Sequence, residues 1–215
     1  MTALYRYLLV SVLLSQRYLP PTLIFLALMA VGTTSDSGPL QESYAFCVLA
    51  MLVCTTWLTV SIVNHEDPTQ HQITRVMIGS SLRVLATTVA VVLSWCVPLL
   101  VIGLVYPIVT GKHVVTLGAL TIGGIAESAA AMIGIAIGLL CSRLVIPRIG
   151  IAMLAAAAAL LAVLLVRWIS PIRPLMSMLS NDSTAVVPFT LLTALCAAIL
   201  CAAVIATGAL ADRKE

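Results

Sequence analysis

Charged residues are scarce in this sequence. Its 215 residues include 11 Lys or Arg and 8 Asp or Glu, which together make up 9% of the chain, whereas 61% of the residues are hydrophobic. A soluble domain usually has about a quarter of its residues charged, because its surface has to interact with water. The shortage of charge therefore excludes a soluble enzyme, a nucleic-acid-binding protein and a disordered tail. It predicts an integral membrane protein.

Motifs of nucleotide-binding and metal-binding proteins are also missing. No GxxxxGK[ST] segment occurs, so any ATP would have to be bound by another chain. The six cysteines form no CxxC pair and fall inside or at the ends of apolar segments, which is typical of small buried side chains. His65, Glu66, Asp67 and His71 form no HExxH motif. We expect no enzymatic activity, no metal and no cofactor in this chain.

Long apolar runs make up most of the sequence. About 20 apolar residues cross a membrane as one helix. The polar loops between the runs are too short for a folded soluble domain, which needs about 50 residues. We therefore predict one all-α integral membrane domain over residues 1–215 with six transmembrane helices. The predicted spans cover about 19–33, 44–63, 84–106, 114–141, 149–168 and 186–210.

The first 18 residues are less uniformly apolar than the predicted spans. On a helix, Arg6 and Arg17 project to nearly the same side, whereas Leu8 points elsewhere. This partial separation of polar and apolar faces predicts an interfacial helix over residues 1–18 that lies on the membrane surface. The alternative is the first turn of a longer spanning helix.

The distribution of basic residues predicts the orientation in the membrane, because cytoplasmic loops carry an excess of Lys and Arg. With the N-terminus inside, eight basic residues lie on the cytoplasmic side and three lie outside, and the opposite orientation reverses the ratio. We therefore expect both termini to be cytoplasmic. The cytoplasmic set is Arg6, Arg17, Arg75, Arg83, Arg143, Arg148, Arg213 and Lys214, and the outer set is Lys112, Arg167 and Arg173.

The polar segment 64–83 between the second and third predicted spans contains a short amphipathic pattern. Ile73, Val76 and Met77 are spaced i, i+3 and i+4, so they share one face of a helix, and Arg75 lies elsewhere. A short amphipathic helix on the cytoplasmic side is suited to docking into a groove on a partner protein. The alternative is a simple loop at the membrane surface.

Glu127 is the only ionisable side chain deep within a predicted span. A carboxylate at the centre of the bilayer costs about 2.5–3.5 kcal/mol, so such a residue usually faces a cavity or a partner. One interpretation is a contact to translocated substrate or a proton-coupled step. The other is a polar bond between helices.

A stripe of small residues surrounds Glu127. Ala126, Ala130, Gly134 and Gly138 repeat every fourth residue, and the last two form a GxxxG motif. Such a stripe lets two helix backbones approach closely. It predicts a packing face, either within the chain or across a dimer.

Four stretches of the sequence, together with the predicted architecture, carry a resemblance to a known family. They are SQRYLPPTLIFLAL at 15–28, NHEDPTQHQITRVMIGSSLRVL at 64–85, LLCSRLVIPR at 139–148 and SPIRPLMSML at 170–179. With six spans, an N-terminal interfacial helix and a cytoplasmic amphipathic segment, the chain resembles the permease subunits of ABC-type exporters. It is similar to small actinobacterial six-span permeases of that family.

The resemblance implies a location, partners and a mechanism. The protein would lie in the cytoplasmic membrane of a bacterium. Two permease subunits, identical or paired, would form the translocation pathway, and two separate ATPase subunits would bind ATP and Mg²⁺. The helix between spans two and three would couple the subunits, with Ile73, Val76 and Met77 docking on the ATPase and Glu66, Asp67 and Arg75 forming a polar rim.

Two other kinds of protein fit parts of the sequence. A secondary transporter or channel-like protein would use Glu127 as its ion site, and it would be expected to contain inverted repeats. A membrane scaffold without transport activity would use the GxxxG face for its partners.

Overall fold

The computed structural model describes residues 2–33, 40–64, 74, 77, 79–111, 116–143, 145–146, 148–165 and 186–213. These parts of the chain contain seven long α-helices and no β-strand. The predicted all-α architecture is therefore confirmed. The helices are α1 (Thr2–Ser15), α2 (Leu19–Thr33), α3 (Leu40–Val63), α4 (Ser81–Thr110), α5 (Leu117–Leu140), α6 (Ile149–Leu165) and α7 (Val186–Arg213).

Helix α5 is the centre of the bundle. It packs most extensively against α3 and next against α7, and α4 contacts all three of these helices. Helix α2 packs on α3 and α4, and α1 lies against α4. The glycine and alanine residues of α5 explain its position, because small side chains allow neighbouring helices to pack on several sides.

Contacts at both ends of α3 give its direction relative to α5. Near the start of α3, Tyr44 packs against Gly123, and about four turns later Thr59 packs against Gly138. Residue numbers thus rise together along the interface. Helices α3 and α5 run in the same direction, as expected if one further crossing separates them in the chain.

Helix α4 runs in the opposite direction. The hydroxyl of Tyr44, near the start of α3, donates a hydrogen bond to the carbonyl oxygen of Leu104 near the end of α4, at 3.3 Å. Leu82, at the start of α4, packs near Gly208 at the end of α7. Helix α4 is therefore antiparallel to both α3 and α7. This alternation is the arrangement that consecutive membrane crossings require.

Four of the described helical segments are long and apolar enough to cross a membrane: Ser43–Val63, Ser81–Thr110, Leu117–Leu140 and Thr190–Leu210. Helices α1 and α2 together pass the same test, but they meet at a 70° bend, and α6 is a shorter apolar helix. The described helices are thus compatible with a multi-pass membrane protein with four or five helices of spanning length. The count of six remains a prediction.

The observed boundaries differ from the predicted spans mainly at α4. The helix begins at Ser81 and continues through Pro98 and Pro107 to Thr110, beyond both predicted ends of this span. Arg83, which the sequence assigns to the cytoplasmic segment, therefore lies in its first turn. At 30 residues, α4 is about 45 Å long, which exceeds the hydrocarbon thickness of a bilayer.

Helix α6 lies at the edge of the bundle, where it makes small contacts with α3 and α5. Ala152 and Ala156 are buried, whereas Leu154 and Leu165 are each 72% exposed. Exposed leucines on a helix of this kind suit contact with lipid.

Candidate functional site

The predicted docking segment is described at only a few positions. Thr74 and Met77 are helical, and the Met77 side chain is 84% exposed. The other predicted docking and rim residues, Glu66, Asp67, Ile73, Arg75 and Val76, lie outside the described residues. An exposed methionine between two long helices is an apolar group that no described part of the bundle covers.

Glu127 lies in the middle of α5, and its side chain is completely buried. Within the part of the chain that the structure describes, neither carboxyl oxygen has a hydrogen-bond partner. A buried polar group without a partner is costly in a low-dielectric interior, so such groups are rare unless they have a role. The arginines whose side chains the structure describes are all exposed, so Glu127 differs from them in its burial.

The carboxyl group of Glu127 packs directly against the backbone of α4. A Cβ atom placed on Gly103 would lie 2.7 Å from Oε1 and 2.8 Å from Oε2 of Glu127. These distances are shorter than real Cβ atoms show, so a side chain at position 103 would require the carboxyl group of Glu127 to shift. Gly103 and Glu127 therefore fit each other across the interface of α4 and α5.

The same turn of α4 has an unusual hydrogen-bond pattern. Pro107 has no N–H, so the carbonyl oxygen of Gly103 lacks the donor that would pair with it in a regular helix. The thiol of Cys47 in α3 donates to this oxygen at a distance of 3.5 Å. A proline four residues after a glycine has thus freed an acceptor beside Glu127.

Tyr44 completes this group of residues. Its ring packs on Gly123, one turn before Glu127, where a Cβ atom would lie 2.8 Å from Cδ2 of the ring. We call Tyr44, Cys47, Gly103 and Glu127 the Glu127 cluster. It joins α3, α4 and α5 at one level. The sequence pattern identified Glu127 but not the other three residues. The spacing of Gly103 and Pro107 could have indicated the carbonyl oxygen that lacks a donor.

The predicted packing stripe faces α3. A Cβ atom on Gly134 would collide with Oγ1 of Thr55 and lie 2.9 Å from the carbonyl oxygen of Leu52. On Gly138 it would lie 2.6 Å from Cβ of Thr59. Ala130 is fully buried in the same helix. The structure therefore places this close approach inside the chain.

The threonines opposite the stripe use their hydroxyl groups locally. Thr55 donates to the carbonyl oxygen of Met51 at 2.7 Å, and Thr59 donates to that of Thr55 at 2.7 Å. These bonds within α3 satisfy the hydroxyls, so none has to reach across to α5. The interface is held by close packing.

The described residues offer no metal centre. Within these ranges, no three His, Cys, Asp or Glu side chains come together in an arrangement that could hold a metal ion. No disulfide joins the six cysteines, all of which the structure describes; five are buried and Cys201 is exposed. The chemistry of the described site is limited to the buried carboxyl group, the thiol and hydroxyl beside it, and the freed carbonyl oxygen.

Comparison of the chain with models of known families, with curated proteins and with solved structures finds no match. The function therefore has to be argued from the residues themselves. Their arrangement is an all-helical bundle compatible with a multi-pass membrane protein, with a buried carboxyl group at its centre and an exposed methionine beyond the end of α3.

Proposed function

We propose that this chain is the transmembrane subunit of an ATP-driven ABC exporter. In this proposal, a separate ATPase subunit binds ATP and Mg²⁺ and docks on the cytoplasmic segment 64–83. The observation that carries the proposal is Met77, which is helical and 84% exposed in the connection between α3 and α4. A long apolar side chain in that position is suited to insertion into a groove on a partner. The resemblance of the sequence to ABC permeases supplies the identity of the partner.

The proposal includes six spans, with both termini in the cytoplasm of a bacterium. The alternating directions of α3, α4 and α5 support this topology. Helix α2, with 15 residues, and α6, with 17, would be the two short spans. Helix α1, which is bent by 70° from α2, would be the interfacial helix. A second permease subunit, identical or paired, would complete the pathway.

Coupling would act through the helices that flank the docking segment. Closure of the ATPases on ATP would push on residues 64–83 and so move the cytoplasmic ends of α3 and α4. Helix α3 is tightly packed on α5 at Gly134 and Gly138, so these two helices would move together. Helix α4 has fewer close contacts with them, and Pro98 and Pro107 each remove one of its backbone hydrogen bonds. We infer that α4 bends or shifts against the α3–α5 pair during transport.

A second candidate function is favoured by Glu127. Its buried carboxyl group without a described partner is the kind of residue that marks an ion or proton site in secondary transporters and channels. In this alternative, the Glu127 cluster would bind the coupled ion near the middle of the bundle. No ATPase partner would then be needed.

A proton-flux measurement on the Glu127→Gln variant distinguishes the two functions. Glutamine has the same shape, so it fits against Gly103 and we expect the protein to fold and melt as the wild type does. The protein would be reconstituted into liposomes that contain the pH-sensitive dye pyranine, and a pH gradient would be applied. The ABC proposal predicts the same slow dye response for the wild type, the variant and empty liposomes. Rapid proton entry with the wild type that is lost in Glu127→Gln would contradict it and support the second candidate.

A further inference from the structure

A groove lies between the N-terminal helix α1 and the first half of α4. It has a volume of about 410 Å³ and is open to the outside of the bundle. The hydroxyl of Tyr5 is hydrogen-bonded to Oγ of Ser94 at 2.6 Å, which fixes α1 across α4. The lining residues are Thr2, Tyr5, Arg6, Ala86, Thr87 and Ala90.

Arg6 is the only charged residue among the described residues that line the groove. Arg6 lines it, and Arg83 lies one turn before Thr87 on the same face of α4; both arginines are exposed. Neither α1 nor α4 contains an Asp or Glu. The floor between the arginines and Ser94 is formed by the exposed alanines Ala86 and Ala90. The groove thus combines a cationic end with a small apolar surface.

The groove lies toward the start of α4, close to the predicted start of the span at residue 84. Tyr18, at the junction of α1 and α2, packs on Trp95 with the ring centres 4.3 Å apart, and Thr22 accepts a hydrogen bond from Trp95. Helix α2 starts beside Trp95, and the axis of α1 is bent by 70° from the axis of α2. The other end of α1 lies beside Ala86 and Ala90, close to the predicted start of the span at residue 84. This is the end of α4 that we propose to be cytoplasmic.

We propose that this groove binds one anionic phospholipid of the inner leaflet. The guanidinium groups of Arg6 and Arg83 hold the phosphate and the negative headgroup, because arginine binds phosphate with two parallel N–H donors. The first carbons of an acyl chain lie over Ala86 and Ala90. The bound lipid occupies the space between α1 and α4. This assignment does not depend on the presence of an ATPase.

The proposal is tested by native mass spectrometry of the purified protein titrated with lipid. Phosphatidylglycerol and phosphatidylcholine with identical acyl chains serve as the anionic and neutral probes. We expect the wild type to bind one phosphatidylglycerol more tightly than phosphatidylcholine. Arg6→Gln is expected to weaken the phosphatidylglycerol affinity by about fivefold, the effect typical of one basic residue near a lipid surface. Ala90→Leu, which fills the apolar floor without changing charge, is also expected to weaken it.

Arg17→Gln is the matched control, because Arg17 is also exposed and basic but does not line the groove. It is expected to bind phosphatidylglycerol as the wild type does. Equal binding of the two lipids by the wild type would overturn the proposal. An equal loss with Arg17→Gln and Arg6→Gln, or unchanged binding by Ala90→Leu, would show a diffuse attraction to charge and would overturn the groove as the site. Similar melting of all variants excludes misfolding as the cause.

Discussion

Replacing Met77 with aspartate is expected to remove the ATPase subunit from the purified assembly. The methionine side chain is 84% exposed in the described bundle, so the substitution leaves the fold of the chain intact. In the complex, it would place a carboxylate in an apolar groove of the partner. Loss of an apolar anchor typically weakens binding by about 2 kcal/mol or more, which is about 30-fold in affinity. The measurement is the amount of ATPase retained after purification in mild detergent.

The matched control for this variant is Leu117→Asp. Leu117 is 82% exposed and begins α5, at the opposite end of the bundle from the 64–83 segment. Aspartate in the first turn of a helix also interacts favourably with the helix dipole. We expect Leu117→Asp and the conservative Met77→Leu to retain the ATPase. Full retention by Met77→Asp would show that the docking surface is elsewhere.

Replacing Gly134 with leucine is expected to destabilise the bundle strongly. The added Cβ atom would collide with Oγ1 of Thr55 and lie 2.9 Å from the carbonyl oxygen of Leu52, and this backbone oxygen cannot rotate away. Helices α3 and α5 would have to separate along the most extensive interface in the bundle. Overpacking of this kind costs about 1–3 kcal/mol, and we expect the upper end here. For a chain of this size, that corresponds to a fall of about 6–12 °C in the apparent melting temperature.

The control for the packing effect is Gly118→Leu in the same helix. A Cβ atom at Gly118 meets nothing within 4 Å, so the same change in composition adds no collision there. Samples are heated to a series of temperatures, and the folded monomer peak that remains in size-exclusion chromatography gives the melting temperature of each variant. Equal melting temperatures for the two variants would show that α3 and α5 are not in the close contact described.

The helical architecture could be predicted from the sequence because it depends on local properties. Apolar runs of spanning length and their polar breaks located most helix cores, and the Ala126–Gly138 spacing identified one face of α5. Apolar runs do not give the boundary of a helix that continues into a polar segment. At α4, Ser81 and Arg83 are polar but still helical, because the helix extends beyond the apolar run.

The contacts of these elements could not be predicted in the same way. A four-residue repeat identifies a helix face but not the neighbour that covers it, so the sequence alone does not decide whether Gly134 packs within the chain or across a dimer. The Glu127 cluster unites residues separated by up to 83 positions, and nothing in the local sequence of Tyr44 or Cys47 connects them with Glu127. The bend between α1 and α2 follows from Gln16, whose φ of 54° lies in the left-handed region.

Vanadate-sensitive ATP hydrolysis by the assembly, purified from its native membranes and reconstituted in lipid nanodiscs, is the most direct test of the proposed function. The ABC proposal predicts that hydrolysis co-elutes with this chain and that mass spectrometry identifies a partner with a GxxxxGK[ST] sequence. Two copies of that partner are expected for each pair of permease subunits. A chain that elutes without any nucleotide-binding partner and without ATP hydrolysis would contradict the proposal.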